Sequence, residues 1–324
     1  MNILILGGGG MLGQKLARAL LERGHLRGAP ITRLTLADIA PPAALTGAEA
    51  ITCNIADPAS VTAAIAADTD VIFHLAAIVS SQAEQDFDLG LQINLDGTRH
   101  VLDAARALGT CPVVVFTSSL AVYGGDVPDP ITDYSFLNPQ TSYGVQKAMG
   151  ELLVNDYSRR GFVDGRGFRL PTISVRPGAP NRAASGFMSS IFREPLNGVE
   201  ATCPVDLTFA HYYLSPRRCV ENLILGAELA AGSLGQNRCM IMPGRMWTIA
   251  QMIAAMKEVV GPEPARLIRF EAQSDIAKIV NGWRADLRAD RALALGLRAD
   301  DSFADNIRAY LVDDMPTNVE GARQ

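Results

Sequence analysis

The sequence predicts an α/β fold, a doubly wound parallel sheet with a smaller C-terminal lobe that binds substrate. Two observations lead there. Short apolar runs alternate with stretches of helical periodicity over the first 177 residues, the rhythm of parallel βαβ units. A glycine-rich loop follows the first apolar run directly and opens the first helix, a junction suited to holding phosphates.

The elements follow in order. NILIL (2–6) stops at glycines and reads as a buried strand. QKLARALLERG (14–24) has helical periodicity and ends on Gly24, a C-cap residue. TRLTLAD (32–38) is the next strand. DPASVTAAIA (57–66) is a helix opened by Asp57 as N-cap with Pro58 in the first helical position. DVIFHLAA (70–77) is a strand, LQINLDGTRHVLDAARALG (91–109) a long helix closed by Gly109, and PVVVFTSS (112–119) a strand. QTSYGVQKAMGE (140–151) begins a helix that runs towards Arg160, and GFRLPTISVRP (167–177) supplies another strand.

PGAPNRAASG (177–186) is a boundary or a functional loop, so residues 1–176 form the Rossmann-type dinucleotide-binding domain and 177–324 the mainly α lobe, some of whose segments return to the first domain. That lobe reads as a helix from Ser215 and Pro216, a strand over 238–242, a helix from Thr248, a strand over 266–270 and C-terminal helices. It covers the carboxyl edge of the strands. No internal repeat or low-complexity segment is visible.

Composition narrows the function. The chain has 324 residues, 48% of them hydrophobic, and a net charge of −5, with no basic block to neutralise nucleic-acid phosphates. The longest apolar runs, such as VIFHLAAIV (71–79), are too short for a bilayer, and the amino terminus lacks the basic start of a signal peptide. Five scattered cysteines without a C-x-x-C pair suggest reduced thiols in a cytoplasmic protein, with neither disulfides nor a metal site.

GGGGMLG (7–13) places Gly7, Gly10 and Gly13 in a G-x-x-G-x-x-G pattern, with Met11 and Leu12 between them as cofactor contacts. Glycines there allow a tight turn and close approach of a pyrophosphate to the backbone. Asp38 ends the second strand, where a carboxylate accepts hydrogen bonds from both adenosine ribose hydroxyls and repels a 2′-phosphate. The cofactor expected is therefore NAD rather than NADP.

Tyr143 and Lys147 are four residues apart and stack on one helix face. An ammonium near a phenol favours the phenolate, so the tyrosine can act as an acid/base. Only four of the 29 basic residues are lysines (Lys15, Lys147, Lys257, Lys278), so lysine at this position fits a point charge that also bonds ribose hydroxyls. Ser119 ends the preceding strand and can hydrogen-bond a substrate oxygen, but Ser118 beside it is an equal candidate on residue chemistry alone.

G-x-x-G-x-x-G, HLAA (74–77), NLDGT (94–98), TSSLAVYG (117–124), Y-x-x-x-K and RPG (176–178) together resemble the extended short-chain dehydrogenase/reductase family over nearly the whole chain. The resemblance implies Ser119 as the catalytic serine beside Tyr143 and Lys147, with Asn94 in an active-site hydrogen-bond relay. It also implies an adenine pocket at Asp57 with Asn54 or Ile55, cofactor contacts at Leu75, Ala76, Ala77 and Thr117, and nicotinamide contacts at Leu170, Pro171 and Ile173. Homodimers are common among such relatives.

Dehydratases of the family carry an acidic residue beside the serine; Ser118-Ser119-Leu120 argues against that chemistry. Residues 169–198 are similar to the sugar-acid branch, which oxidises the C2 hydroxyl of a four-carbon aldonate, D-erythronate, to the 2-keto acid with NAD. Arg176, Arg182 and Arg193 suit a carboxylate, and Ser80, Ser81, Thr172, Ser189 and Ser190 suit a polyol. For any one of the arginines a solvated surface role is as good a reading. His211 is read as a packing or hydrogen-bonding residue rather than a base. The alternatives are a nucleotide-sugar 4-epimerase using the same triad and a dinucleotide sensor without catalysis.

Overall fold

The computed structural model describes residues 1–178, 184–271, 280, 282–283 and 285–315. Its centre is a seven-stranded sheet built from β1 (Asn2–Leu6), β4 (Arg33–Asp38), β5 (Glu49–Thr52), β6 (Val71–His74), β7 (Val113–Ser119), β8 (Asp164–Leu170) and β12 (Cys239–Ile241). The spatial order is β12-β8-β7-β6-β1-β4-β5, and every neighbouring pair is parallel. The remaining strands are the hairpin β2 (His25–Leu26) and β3 (Ala29–Pro30), the pair β10 (Ala201–Cys203) and β14 (Ile268–Phe270), and a three-stranded sheet of β9 (Thr172–Ile173), β11 (Ala210–Leu214) and β13 (Arg245–Thr248).

Alternation along β1 explains the two layers. Ile3 and Ile5 face one core with Leu16 and Leu20 of α1 (Met11–Arg23), whereas Leu4 and Leu6 face the other with Val61 of α2 (Pro58–Ala64). Both faces are covered, so the strands are apolar throughout, as parallel sheets require. Helix ends behave as their caps dictate. Gly24 closes α1 at φ 68°, Asp57 accepts the Ala59 N–H at the start of α2, and Thr141 accepts the Gly144 N–H at the start of the later helix Ser142–Arg159. The helices between are α3 (Ser80–Gln85) and α4 (Phe87–Gly90), a π-helical turn over Leu91–Asp96, and α5 (Gly97–Ala107); the helix starting at Ser142 is α6.

Some elements differ from the sequence reading. The run 167–177 is not one strand: β8 ends at Leu170, and beyond Pro171 the chain leaves the sheet to pair β9 with β11. Proline has no N–H for the ladder, and the break frees the next residues to face a cleft. β8 also starts earlier, at Asp164, because Arg166 is fully buried in it. Its guanidinium donates to the carbonyls of Gly226, Ala227 and Leu229 at the end of a helix, which hides the charge from the apolar pattern. β5 is short and largely exposed, and it was not read from sequence.

Beyond residue 177, α7 (Phe187–Leu196), α9 (Ile249–Val260) and α11 (Phe303–Asp313) pack Phe192, Met252, Met256, Phe303 and Ile307 into a separate core. Two later segments join the main sheet: β12 pairs with β8, and α8 (Pro216–Glu228) packs Cys219 and Leu223 against α1's layer. Among the described residues no helix is long and apolar enough to cross a membrane.

Candidate active site

The strand ends, α1 and α6 enclose a cleft of about 790 Å³ that reaches from Gly7 to Trp283. At one end β1 delivers the glycine loop. Gly7 has φ +86°, and a Cβ there would lie 2.7 Å from the Ala76 nitrogen; a Cβ on Gly13 would lie 2.3 Å from the Gly7 oxygen. Both positions therefore need glycine. The loop is drawn onto β6 and leaves the N-terminus of α1 open, since Gly10 supplies no side-chain cap. Asp38 Oδ2 accepts from the Gly9 N–H at 2.9 Å and Oδ1 from the Ile39 N–H at 2.8 Å, so the carboxylate sits at the loop. These residues fit a dinucleotide: a cradle that a side chain would fill, open N–H groups, and a carboxylate for ribose hydroxyls.

Met11, Leu12, Leu75, Ala77 and Thr117 line the same cleft. Ala76 instead backs Gly7, donating its N–H to Leu6. Asn54 and Ile55 lie outside the lining. Asn54 Oδ1 accepts from Ala56, and the Ile55 carbonyl meets His100 at 3.0 Å while its side chain packs under Gly97.

At the other end, β7 and α6 bring the serine, tyrosine and lysine together. Gly144 and Gly150 let α6 lie close: a Cβ would meet the Ala121 oxygen at 2.2 Å and the Phe116 ring at 2.8 Å. The adjacent serines point to opposite faces of β7. Both border the cleft, but the Ser118 hydroxyl is spent on buried Glu151, to which it donates at 2.5 Å, whereas Ser119 hydrogen-bonds Tyr143. Burial pushes the Tyr143 phenol up to about 12, and the bond with Ser119 acts in the opposite direction.

Lys147 differs from its sequence reading in one respect. Its ammonium donates to the Thr117 carbonyl at 2.8 Å and lies 5.7 Å from the Tyr143 ring centre, so burial rather than the lysine dominates the phenol. Burial lowers Lys147 itself to about 7, with the Glu151 charge opposing. The Asn94 side chain reaches neither residue. Held in the π turn, it accepts from the Ile78 N–H at 3.0 Å and donates to Gln146 at 2.8 Å, tying the β6 loop to α6 behind the cleft.

Beyond the triad, Pro171, Thr172 and Ile173 line the cleft with Ser80, Ser81 and Glu84. Glu84 was not singled out from sequence; it accepts the Ser142 N–H at 2.8 Å at the first turn of α6. The three arginines separate. Arg193 is engaged, donating to the Arg176 carbonyl at 3.0 Å and to Glu194 at 2.5 Å. Arg176 lines the cleft with long bonds to Ser185 at 3.3 and 3.5 Å and no carboxylate partner among the described residues; burial and Arg193 lower its pKa. Arg182 lies outside the described residues. Ser189 does not face substrate, because it is fully buried and its hydroxyl accepts the Arg176 N–H at 3.2 Å. Ser190 bonds its own helix at Phe187. Among the described residues no group of three or more His, Cys, Asp or Glu side chains could hold a metal ion.

The chain is similar to known proteins along nearly its whole length. It is 53% identical to a D-erythronate dehydrogenase of Cupriavidus necator over 97% of this chain and 98% of that one. A D-erythronate dehydrogenase of Haemophilus influenzae is 42% identical over 97% of this chain and all of its own. The crystal structure of a nucleoside-diphosphate-sugar epimerase from Agrobacterium tumefaciens superposes with a TM-score of 0.93 at 46% identity, covering 97% of this chain and 94% of that one. The model of the NAD dependent epimerase/dehydratase family matches residues 3–208, more than half the chain. The chain therefore belongs to that family, and it is an NAD-dependent oxidoreductase.

Proposed function

We propose that this enzyme oxidises the C2 hydroxyl of a small sugar acid, D-erythronate, to 2-keto-D-erythronate. The observation that carries the reading is Arg176: a half-buried guanidinium without a carboxylate partner among the described residues, lining the cleft that Ser119 and Tyr143 also line. A carboxylate held there by two parallel hydrogen bonds compensates the charge and orients C2. The two D-erythronate dehydrogenases at 53% and 42% identity support the same substrate.

Bound NAD supplies the hydride acceptor and a positive charge to the cleft. Ser119 holds the C2 oxygen by a hydrogen bond, and Tyr143 takes its proton as the carbonyl forms. Lys147, fixed on the Thr117 carbonyl, places its ammonium beside the Phe116 and Tyr143 rings and is the donor for ribose hydroxyls. Alignment of these groups is the protein's main contribution.

The experiment measures NAD reduction over four- to six-carbon aldonates and, because an epimerase returns the hydride with no net reduction, C4 epimerisation of nucleotide sugars. Activity confined to a nucleotide sugar overturns the reading. That result would favour a 4-epimerase, the second reading, which the 46% identical nucleoside-diphosphate-sugar epimerase supports. An epimerase also purifies with tightly held NAD, visible in its absorbance.

The enzyme is also read as a cytoplasmic homodimer. Five free cysteines, four of them buried, support a reducing compartment. Val145, Met149 and Leu152 share an exposed apolar face of α6, with Leu152 65% exposed, and a second copy would cover it.

A further inference from the structure

The C2 chemistry leaves one polar pair of the cleft unused. Thr172 on β9 and His211 on β11 both line it, and His211 Nε2 lies 3.0 Å from Thr172 Oγ1. β9 and β11 are paired through Thr172 and Tyr213, so the contact is set by strand register rather than by a loose side chain. The imidazole is 5% exposed. It stacks on Phe209 at 6.3 Å and packs against Trp283 at 5.2 Å and the edge of Tyr213 at 5.6 Å.

Its other nitrogen is the notable one. Nδ1 is buried without a hydrogen-bond partner among the described residues. Such orphans are rare because a desolvated polar atom is costly unless a ligand or water pairs with it. Burial lowers the ring to about 4, so at neutral pH it carries one proton, with one nitrogen donating and the other accepting. In the reading above, Arg176 takes the carboxylate, and Ser119 with Tyr143 takes the C2 oxygen. A four-carbon aldonate has two further hydroxyls, on C3 and C4, with no partner assigned.

We propose that His211, oriented by Thr172, hydrogen-bonds through Nδ1 to the C3 or C4 hydroxyl of the substrate and thereby selects polyhydroxy acids over plain 2-hydroxy acids. The inference rests on the sugar-acid reading of this cleft. Thr172 is then a positioning residue and His211 a specificity-determining one. A site built to bond a hydroxyl rejects analogues lacking it, because its own buried group is then left unpaired.

The test compares D-erythronate with 2-hydroxybutyrate of the same C2 configuration, which lacks both distal hydroxyls. His211→Phe keeps the stacked ring and removes both nitrogens. It should lower kcat/KM on D-erythronate by about 10- to 100-fold, mainly through KM, and leave 2-hydroxybutyrate within about threefold. His211→Asn, whose amide takes roughly the place of Nδ1, should keep the discrimination; His211→Gln, which mimics Nε2, should lose it. This pair reads the same question if the phenylalanine variant does not fold. Thr172→Val should weaken discrimination in the same direction, with NAD affinity unchanged in every variant. Equal losses on both acids, or discrimination kept by His211→Gln and lost by His211→Asn, overturn the assignment of Nδ1. Wild-type enzyme oxidising neither acid overturns the sugar-acid reading itself, and this inference with it.

Discussion

Ser118 donates to Glu151 at 2.5 Å across the contact between β7 and α6, one helical turn beyond Lys147. The same carboxylate holds Arg169 through both oxygens, at 2.9 and 2.7 Å, and all three side chains are buried. This network lies beside Tyr143 and Lys147, and it decides which of two adjacent serine hydroxyls is left to pair with Tyr143. Glu151→Gln leaves the Arg169 charge uncompensated and should destabilise the fold by about 3–5 kcal/mol in urea titrations. Loss of its charge should also lower the Lys147 pKa further, because Glu151 is the group that raises it. A variant as stable as wild type would show that the network is incidental.

Tyr143→Phe removes the proposed proton acceptor and leaves the glycine loop untouched. Turnover should fall by at least about 10²- to 10⁴-fold while NAD still binds, as read by fluorescence titration. Ser119→Ala should lower kcat less, and Ser118→Ala should act on stability first, since its partner is Glu151 rather than Tyr143.

Arg176→Met should raise KM for aldonates by about 10- to 100-fold with a smaller effect on kcat, and Arg176→Lys should recover part of the loss. Arg193→Met should instead appear in thermal unfolding, because that guanidinium is engaged by Glu194 and the Arg176 carbonyl. Steady-state kinetics with a fixed saturating NAD concentration separates the two.

Asp38→Asn removes the charge that disfavours a 2′-phosphate and weakens the bonds to Gly9 and Ile39. NAD efficiency should fall about tenfold or more, and the preference over NADP should narrow. The ratio of the two kcat/KM values is the readout.

His74 and His211 are buried, with pKa values lowered from 6.5 to about 3 and about 4. Between those values and 6.5 the unfolded chain binds more protons than the folded one, so stability falls as the pH drops through that window. Each group contributes a slope of up to about 1.4 kcal/mol per pH unit. Urea titrations at pH 7, 5.5 and 4.5 should show this loss, and His74→Gln or His211→Gln should flatten the slope whatever it does to stability at pH 7. An unchanged slope in both variants would refute the assignment.

How much was legible in the sequence depended on whether the chemistry was local. Gly7 and Gly13 with Asp38 could be read because the strand–loop–helix junction lies within a single stretch and its sterics admit no side chain. Tyr143 and Lys147 could be read because helix periodicity alone puts them on one face. The apolar alternation of β1 similarly carried the parallel sheet.

What needed the tertiary structure was every decision made by a partner distant in the chain. Ser119 is separated from Ser118 by Glu151, 33 residues away, and Arg193 from Arg176 by its bond to the Arg176 carbonyl, 17 residues away. Asn94 and Ser189 have residue types that suit a site, yet the fold spends their hydrogen bonds on Ile78, Gln146 and the Arg176 backbone. The break at Pro171, and with it the Thr172–His211 contact, depends on a second sheet formed with β11. A sequence states which groups are available; burial and competing partners determine which of them are left for a ligand.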